Sequence, residues 1–162
     1  IDVDRKMFEI NFFGAVALTK QVLPVMHKQS YGQIVAVSSI VGFIGFSMRT
    51  AYSASKHAMK GFFESLRIEE APLGIQVNMV YPGSIQTNIS KFAVNEKGEA
   101  HDKQDRRQAG GMPADQCARI IVRGMERNKA DILVGRRELL LVYIRRYFPG
   151  LFYRLVARIK PT

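Results

Sequence analysis

From residue 4 to about 28, Met7, Phe8, Ile10, Phe13, Ala17, Leu18, Val22 and Val25 recur at helical spacing, predicting one long helix with an apolar stripe. Turn-forming SYGQ at 30–33 ends it, and IVAVSS from 34 reads as a short β-branched strand buried on both faces. IVGFIGFSMRT follows as a loop, with Gly42 and Gly45 at hinge-permitting positions. A second helix is predicted from about Ala51 to Glu70, capped by Thr50 and closed by Pro72 and Gly74. IQVNMVYPG at 75–83 repeats the buried-strand pattern. Strand, long helix, strand at this spacing is the crossover of a parallel sheet, so the fold class is α/β.

Residues 84–112 are polar and charged without a sustained period, and a loop of that length in a compact domain suits a lid or substrate segment. A helix resumes after Pro113, DILVG at 131–135 is a third short strand, and the tail offers an apolar, basic helix from about Arg137. A break at Pro149-Gly150 and a second helix to about Ile159 complete the tail. The whole is read as one domain over 1–162, with a substrate loop at 84–112 and a basic amphipathic tail at 136–162.

Composition narrows the classes. The chain has 162 residues, of which 47% are apolar, enough for one real core, so disorder is not the default. Cys117 is the only cysteine, which excludes an intrachain disulfide and leans toward a reducing, cytoplasmic compartment. No Cys/His cluster has metal-ligand spacing; His27, His57 and His101 are scattered and read as surface or packing residues. The net charge of +10 crowds into the C-terminal end, where Arg136, Arg137, Arg145, Arg146, Arg154, Arg158 and Lys160 lie among Leu, Tyr and Phe. That arrangement fits an anionic lipid surface, with peripheral contact through 136–160, at least as well as nucleic acid, which is not expected as a partner. No apolar stretch approaches the roughly 20 residues that span a bilayer.

The candidate chemistry sits in AYSASKHAMK, 51–60, where Tyr52 and Lys56 stand four positions apart and share one helix face. A phenol with an ordinary pKa of about 10 is a poor base, but an ammonium beside it favours the phenolate. The pair is therefore expected to bring Tyr52 toward neutrality, facing Ser39 at the carboxyl end of the preceding strand. Ligands of open parallel sheets bind beyond those strand ends, which points to Ser38, Ser39 and residues 82–87. Alone, the spacing also fits a core tyrosine with a lysine snorkelling to water. Ser38 reads as a strand-end hydrogen-bonder, Thr87 as a helix cap or a site residue, and Tyr81 as core or pocket wall.

The order of INFFG, GQIVAVSS, the Tyr52/Lys56 pair and YPGSIQT resembles the classical short-chain dehydrogenase/reductase family over nearly all of residues 1–135. The resemblance implies a Rossmann-like, doubly wound parallel sheet in three α/β/α layers, seen here in its C-terminal portion. It also implies a catalytic set of Asn11, Ser39, Tyr52 and Lys56, with Asn11 holding a water in a proton relay. Tyr52, Lys56, Pro82, Gly83, Ile85 and Thr87 are then expected to contact NADP or NAD, NADP being favoured, with the Ile85 backbone on the carboxamide and no metal. The implied reaction is hydride transfer between the nicotinamide and a carbonyl or secondary alcohol. The apolar tail, matched in relatives that act on lipid-like molecules, points to a hydrophobic substrate. The family's glycine-rich dinucleotide turn is not in this sequence, so the chain is expected to be the C-terminal part of a longer enzyme and inactive alone. Phe12, Phe13, Phe62 and Phe63 read as packing or interface residues, and the resemblance implies a homodimer through helices 4–28 and 51–70. The alternatives are a catalytically idle scaffold, a membrane-surface binding module, or an extended-branch sugar-nucleotide epimerase or dehydratase. The last is disfavoured by the short chain after Lys56.

Overall fold

The computed structural model describes residues 1–87 and 110–158. Three strands, β1 (Gly32–Val37), β2 (Ile75–Pro82) and β3 (Asp131–Val134), form a parallel sheet in the order β1-β2-β3. The register runs from Gly32 opposite Ile75 to Val37 opposite Val80, and from Met79 opposite Asp131 to Pro82 opposite Val134. All three carboxyl ends therefore open on one edge, where β1 runs into Ser38 and Ser39 and β2 into Gly83.

Alternation along the strands divides the core between two faces. Ile34 and Ala36 of β1 join Ile75, Val77, Met79 and Tyr81 of β2 on one face. They pack against Leu23 from the helix α2 (Gly14–Gln29) and Met59, Phe63 and Leu66 from α3 (Thr50–Glu70). Met59, Phe63 and Leu66 fall on one stripe of α3, the period-3.6 counterpart of the strand alternation. Val80, Ile132 and Val134 point to the other face, where α4 (Ala114–Glu126) covers them with Cys117, Ile120, Ile121 and Met125. Helices on both faces of a parallel sheet give the three-layer, Rossmann-like architecture that the family resemblance implies. Tyr81 is core rather than pocket wall: it is fully buried, and its ring lies 4.3 Å from that of Phe43.

A polar plug pins the sheet to its connections. Asn78 is completely buried on β2; its Oδ1 accepts from Gln33 Nε2 at 2.8 Å, and its Nδ2 donates to the Lys129 carbonyl at 2.8 Å. A buried amide so satisfied ties β1, β2 and the turn before β3 together. His27 is a surface residue whose Nε2 lies 2.7 Å from Oε2 of the buried Glu70, joining the ends of α2 and α3. Gly74 sits at φ +76°, and a β-carbon there would approach the Ser30 carbonyl oxygen to 2.6 Å, so this turn needs glycine.

Several boundaries differ from the sequence reading. The first helix is not uniform: α1 (Asp2–Phe8) passes through one π turn, Glu9–Phe13, before α2, and the Gly14 amide reaches back to the Glu9 carbonyl. Periodicity over many residues averages out one widened turn. β1 is not fully buried on both faces, since Val37 is 50% exposed where the strand opens onto the crevice. Thr50 is the first residue of α3 and not its cap, because Arg49 holds the last non-helical backbone, at φ −134°, and no side chain caps the helix. In the tail, α5 (Leu139–Tyr147) and α6 (Pro149–Val156) are separated at Phe148, so Pro149 starts a helix, where its fixed φ is suitable. Most of the expected substrate loop at 84–112 lies outside the described residues.

Candidate active site

Three of the sequence-chosen side chains gather where β1 meets α3. Ser39 follows β1 in extended backbone and starts a short turn of 3₁₀ helix, Ile40–Gly42, its Oγ accepting from the Val41 amide at 3.4 Å. That hydroxyl has one hydrogen, which can point to the Pro82 carbonyl at 3.3 Å or to the Tyr52 phenol. Tyr52, in the first turn of α3, packs beside Ile40, Val41 and Val142. Lys56, one turn on, brings its ammonium 5.8 Å from the Tyr52 ring centre and donates to the Val37 carbonyl at 3.4 Å.

Asn11 reaches this group through a residue that sequence reasoning missed. From the π turn, its Nδ2 donates to Ser55 Oγ at 3.2 Å, and Ser55 Oγ donates to the Tyr52 carbonyl at 2.9 Å. Ser55 is completely buried, so this bridge is the specific link between the first helix and the turn carrying Tyr52. A π turn adds one residue and rotates those after it, re-aiming a side chain within an otherwise regular helix. Nothing in the spacing of Asn11 and Ser55, 44 residues apart, announces their contact. Ser38 keeps its expected role as a strand-end hydrogen-bonder, its Oγ donating to the Lys56 carbonyl at 3.2 Å.

The electrostatics correct one expectation. Burial pushes the Tyr52 phenol above its ordinary 10.0, outweighing the lowering by the Ser39 hydroxyl and the positive charge of Arg49. Lys56 is itself lowered by burial. Desolvation opposes charge on both partners, so their proximity does not by itself acidify the phenol. At neutral pH Tyr52 therefore holds its proton.

The segment after β2 completes the site edge. The Gly83 amide donates to the Val134 carbonyl at 2.7 Å, and the Ser84 amide to Glu138 Oε1 at 3.1 Å. A β-carbon at Gly83 would meet the Glu138 side chain, which would have to give up its place on the Ser84 amide. Ile85 bridges to Met112 in parallel fashion: the Met112 amide donates to the Ser84 carbonyl at 2.8 Å, and the Gln86 amide to the Met112 carbonyl at 2.9 Å. In such a bridge the middle residue's own amide and carbonyl face the other way, so the Ile85 backbone presents a donor and an acceptor away from Met112. Pro82 thus joins the cluster through its carbonyl, while Thr87 lies exposed at the edge of the described residues. Among the described residues, no group of three or more His, Cys, Asp or Glu could hold a metal ion.

Known proteins resemble this chain in sequence and fold. The chain is 44% identical over 158 residues to dehydrogenase/reductase SDR family member 7B of Mus musculus, and 40% over 159 residues to the SDR family protein 7-like of Drosophila melanogaster. It covers 97–98% of itself in these matches and 49% of each relative, so it spans about half the length of the curated proteins it matches. The fold superposes at a TM-score of 0.77 and 20% identity on a short chain dehydrogenase from Burkholderia cenocepacia in complex with NADP, covering 98% of this chain and 60% of that one. A short-chain dehydrogenase from Streptomyces avermitilis matches at 0.73 and 27% identity, over 94% and 58% of the two chains. The family model for short chain dehydrogenases matches residues 2–98, and with the strand-end serine, the helix-borne tyrosine and lysine and these relatives it places the chain in the short-chain dehydrogenase/reductase family.

Proposed function

We propose that this chain forms the catalytic half of an NAD(P)-dependent oxidoreductase acting on a carbonyl or secondary alcohol of a hydrophobic molecule. The observation that carries this reading is the grouping of Ser39, Tyr52 and Lys56 at the carboxyl end of β1, linked through Ser55 to Asn11. A bound nicotinamide would supply the hydride, and the protein position and charge.

The chain's residues fit such a cofactor. Lys56 brings an ammonium beside Tyr52, suited to ribose hydroxyls, and the outward amide and carbonyl of Ile85 match the donor and acceptor of a carboxamide. Pro82 and Gly83 set the turn that presents Ile85, and Thr87 is assigned to the same cofactor edge. NADP is the favoured form, in keeping with the NADP in the Burkholderia structure. The glycine-rich phosphate turn is assigned to sequence outside these residues, and this chain alone is expected to be inactive.

Tyr52, protonated at neutral pH, donates to a substrate oxygen as that oxygen gains charge, while Ser39 turns its one hydrogen from the Pro82 carbonyl to the same oxygen. Asn11 orders the relay that returns the proton. In the full-length protein, Tyr52→Phe should abolish turnover and keep the fold; undiminished turnover would refute the assignment. Titration calorimetry with NADPH and NADH separates this reading from an idle scaffold, which need bind neither.

Two partner surfaces belong to this reading. Ile10, Phe13, Leu18 and Val25 on the first helix and Ile68 on α3 are exposed, an apolar area suited to a homodimer. Tyr147, Phe148 and Leu151 stand exposed beside Arg146 and Arg154, suited to peripheral contact with anionic lipid from the cytoplasmic side. No helix among the described residues is long and apolar enough to cross a membrane. Sedimentation of Ile68→Glu tests the first surface, and vesicle flotation the second.

A further inference from the structure

One residue round from Tyr52, about 100° on the helix, α3 turns toward a second concavity. It is a cleft of about 290 Å³ between the first turns of α3, the loop after β1 and the α5–α6 pair. Phe46, Phe152 and Tyr153 form its apolar walls, and Ser53, His57 and Arg145 its polar edge. Among the described residues no carboxylate lines it.

Three features favour an anion there. Ser53 is 7% exposed, and its hydroxyl has no hydrogen-bond partner. A buried hydroxyl left unpaired carries its desolvation cost without compensation, so it marks a position where a ligand acceptor would be favoured. Arg145 forms no ion pair among the described residues; its guanidinium lies 5.9 Å from the Phe152 ring centre and 5.4 Å from that of Tyr153. Cation–π contact with these two rings keeps the guanidinium beside the cleft's apolar walls. Finally, α3 begins without a side-chain cap and contributes Thr50 to the same wall, so the positive end of a 21-residue helix borders the cleft. His57, donating from Nδ1 to the Ser53 carbonyl at 2.8 Å, braces that wall.

We propose that this cleft binds an amphipathic carboxylate, its alkyl or aromatic body against Phe46, Phe152 and Tyr153 and its head on the Arg145 guanidinium and the Ser53 hydroxyl. Aromatic walls with a few convergent polar groups are the usual composition of a small-molecule site. The cleft uses neither the nicotinamide nor the proton of Tyr52, so it stands or falls separately from the proposed reaction.

Decanoate is the probe, titrated calorimetrically into the full chain, with decanol as its uncharged counterpart and acetate as the head alone. One saturable decanoate site is expected, with decanol and acetate at least tenfold weaker. Arg145→Gln should weaken decanoate at least tenfold, and Ser53→Ala roughly three- to tenfold, while Arg146→Gln and Arg154→Gln, on exposed neighbours, change it less than twofold. Circular dichroism of each variant confirms the fold, and Ser53→Ala, which removes one oxygen, keeps the test valid should Arg145→Gln unfold. The proposal is overturned by absence of saturable binding, by decanol binding as tightly as decanoate, or by equal losses for all three arginine variants.

Discussion

Two serines standing two positions apart on one helix face opposite fates when each loses its hydroxyl. Ser55 Oγ accepts from Asn11 at 3.2 Å and donates to the Tyr52 carbonyl at 2.9 Å, whereas Ser53 Oγ is buried with no partner. Ser55→Ala removes two hydrogen bonds of about 1 kcal/mol each, a net loss of about 2 kcal/mol. Ser53→Ala removes only an unpaired buried polar atom, which should leave stability unchanged or raise it by about 1 kcal/mol. Both substitutions gain the same intrinsic helix propensity, so that contribution cancels in the comparison. The two variants should therefore differ by about 2–3 kcal/mol, read as the separation of their urea denaturation curves followed by circular dichroism. By the usual size scaling the Ser55→Ala loss alone lowers Tm by about 4–8 °C. A cycle with Asn11→Ala should show coupling of about 1 kcal/mol, since the two residues share a bond. If Ser55→Ala and Ser53→Ala melt within about 0.5 kcal/mol of each other, the bridge from the first helix to Tyr52 is not holding the site.

The remaining expectations concern titration and packing. Because the folded Tyr52 pKa is raised above its ordinary 10.0, the stabilisation from keeping this phenol neutral is complete below pH 10 and is lost as pH rises through the folded value. The difference in 295 nm absorbance between the chain and Tyr52→Phe should therefore titrate above pH 10; a midpoint below it would contradict the burial argument. Gly74→Ala places a β-carbon 2.6 Å from the Ser30 oxygen at positive φ, and should cost at least about 1–2 kcal/mol by urea denaturation. Asn78→Leu removes the acceptor for one Gln33 amide hydrogen, which keeps only its bond to the Met125 carbonyl, and the donor to the Lys129 carbonyl, for a loss of about 2–4 kcal/mol seen as a lower urea midpoint.

What the amino-acid order determined by itself is the local and periodic part of this protein. Apolar repeats at two spacings place the three strands and the long helices, and Pro72-Gly74 marks the close of α3, because turn chemistry and amphipathicity act over a few residues. Tyr52 and Lys56 were legible as a pair since a helix brings positions four apart onto one face. Their surroundings were not. That Asn11 meets Ser55, that the Lys56 ammonium turns to the Val37 carbonyl and that Glu138 takes the Ser84 amide are contacts between elements distant in the chain. Burial, too, belongs to the assembled molecule: the lysine is near the phenol as its spacing implies, yet desolvation decides the direction in which both shift. The π turn and the unpaired Ser53 hydroxyl arise only when the helices pack, because each is a compromise between local geometry and a neighbour that the local sequence does not contain.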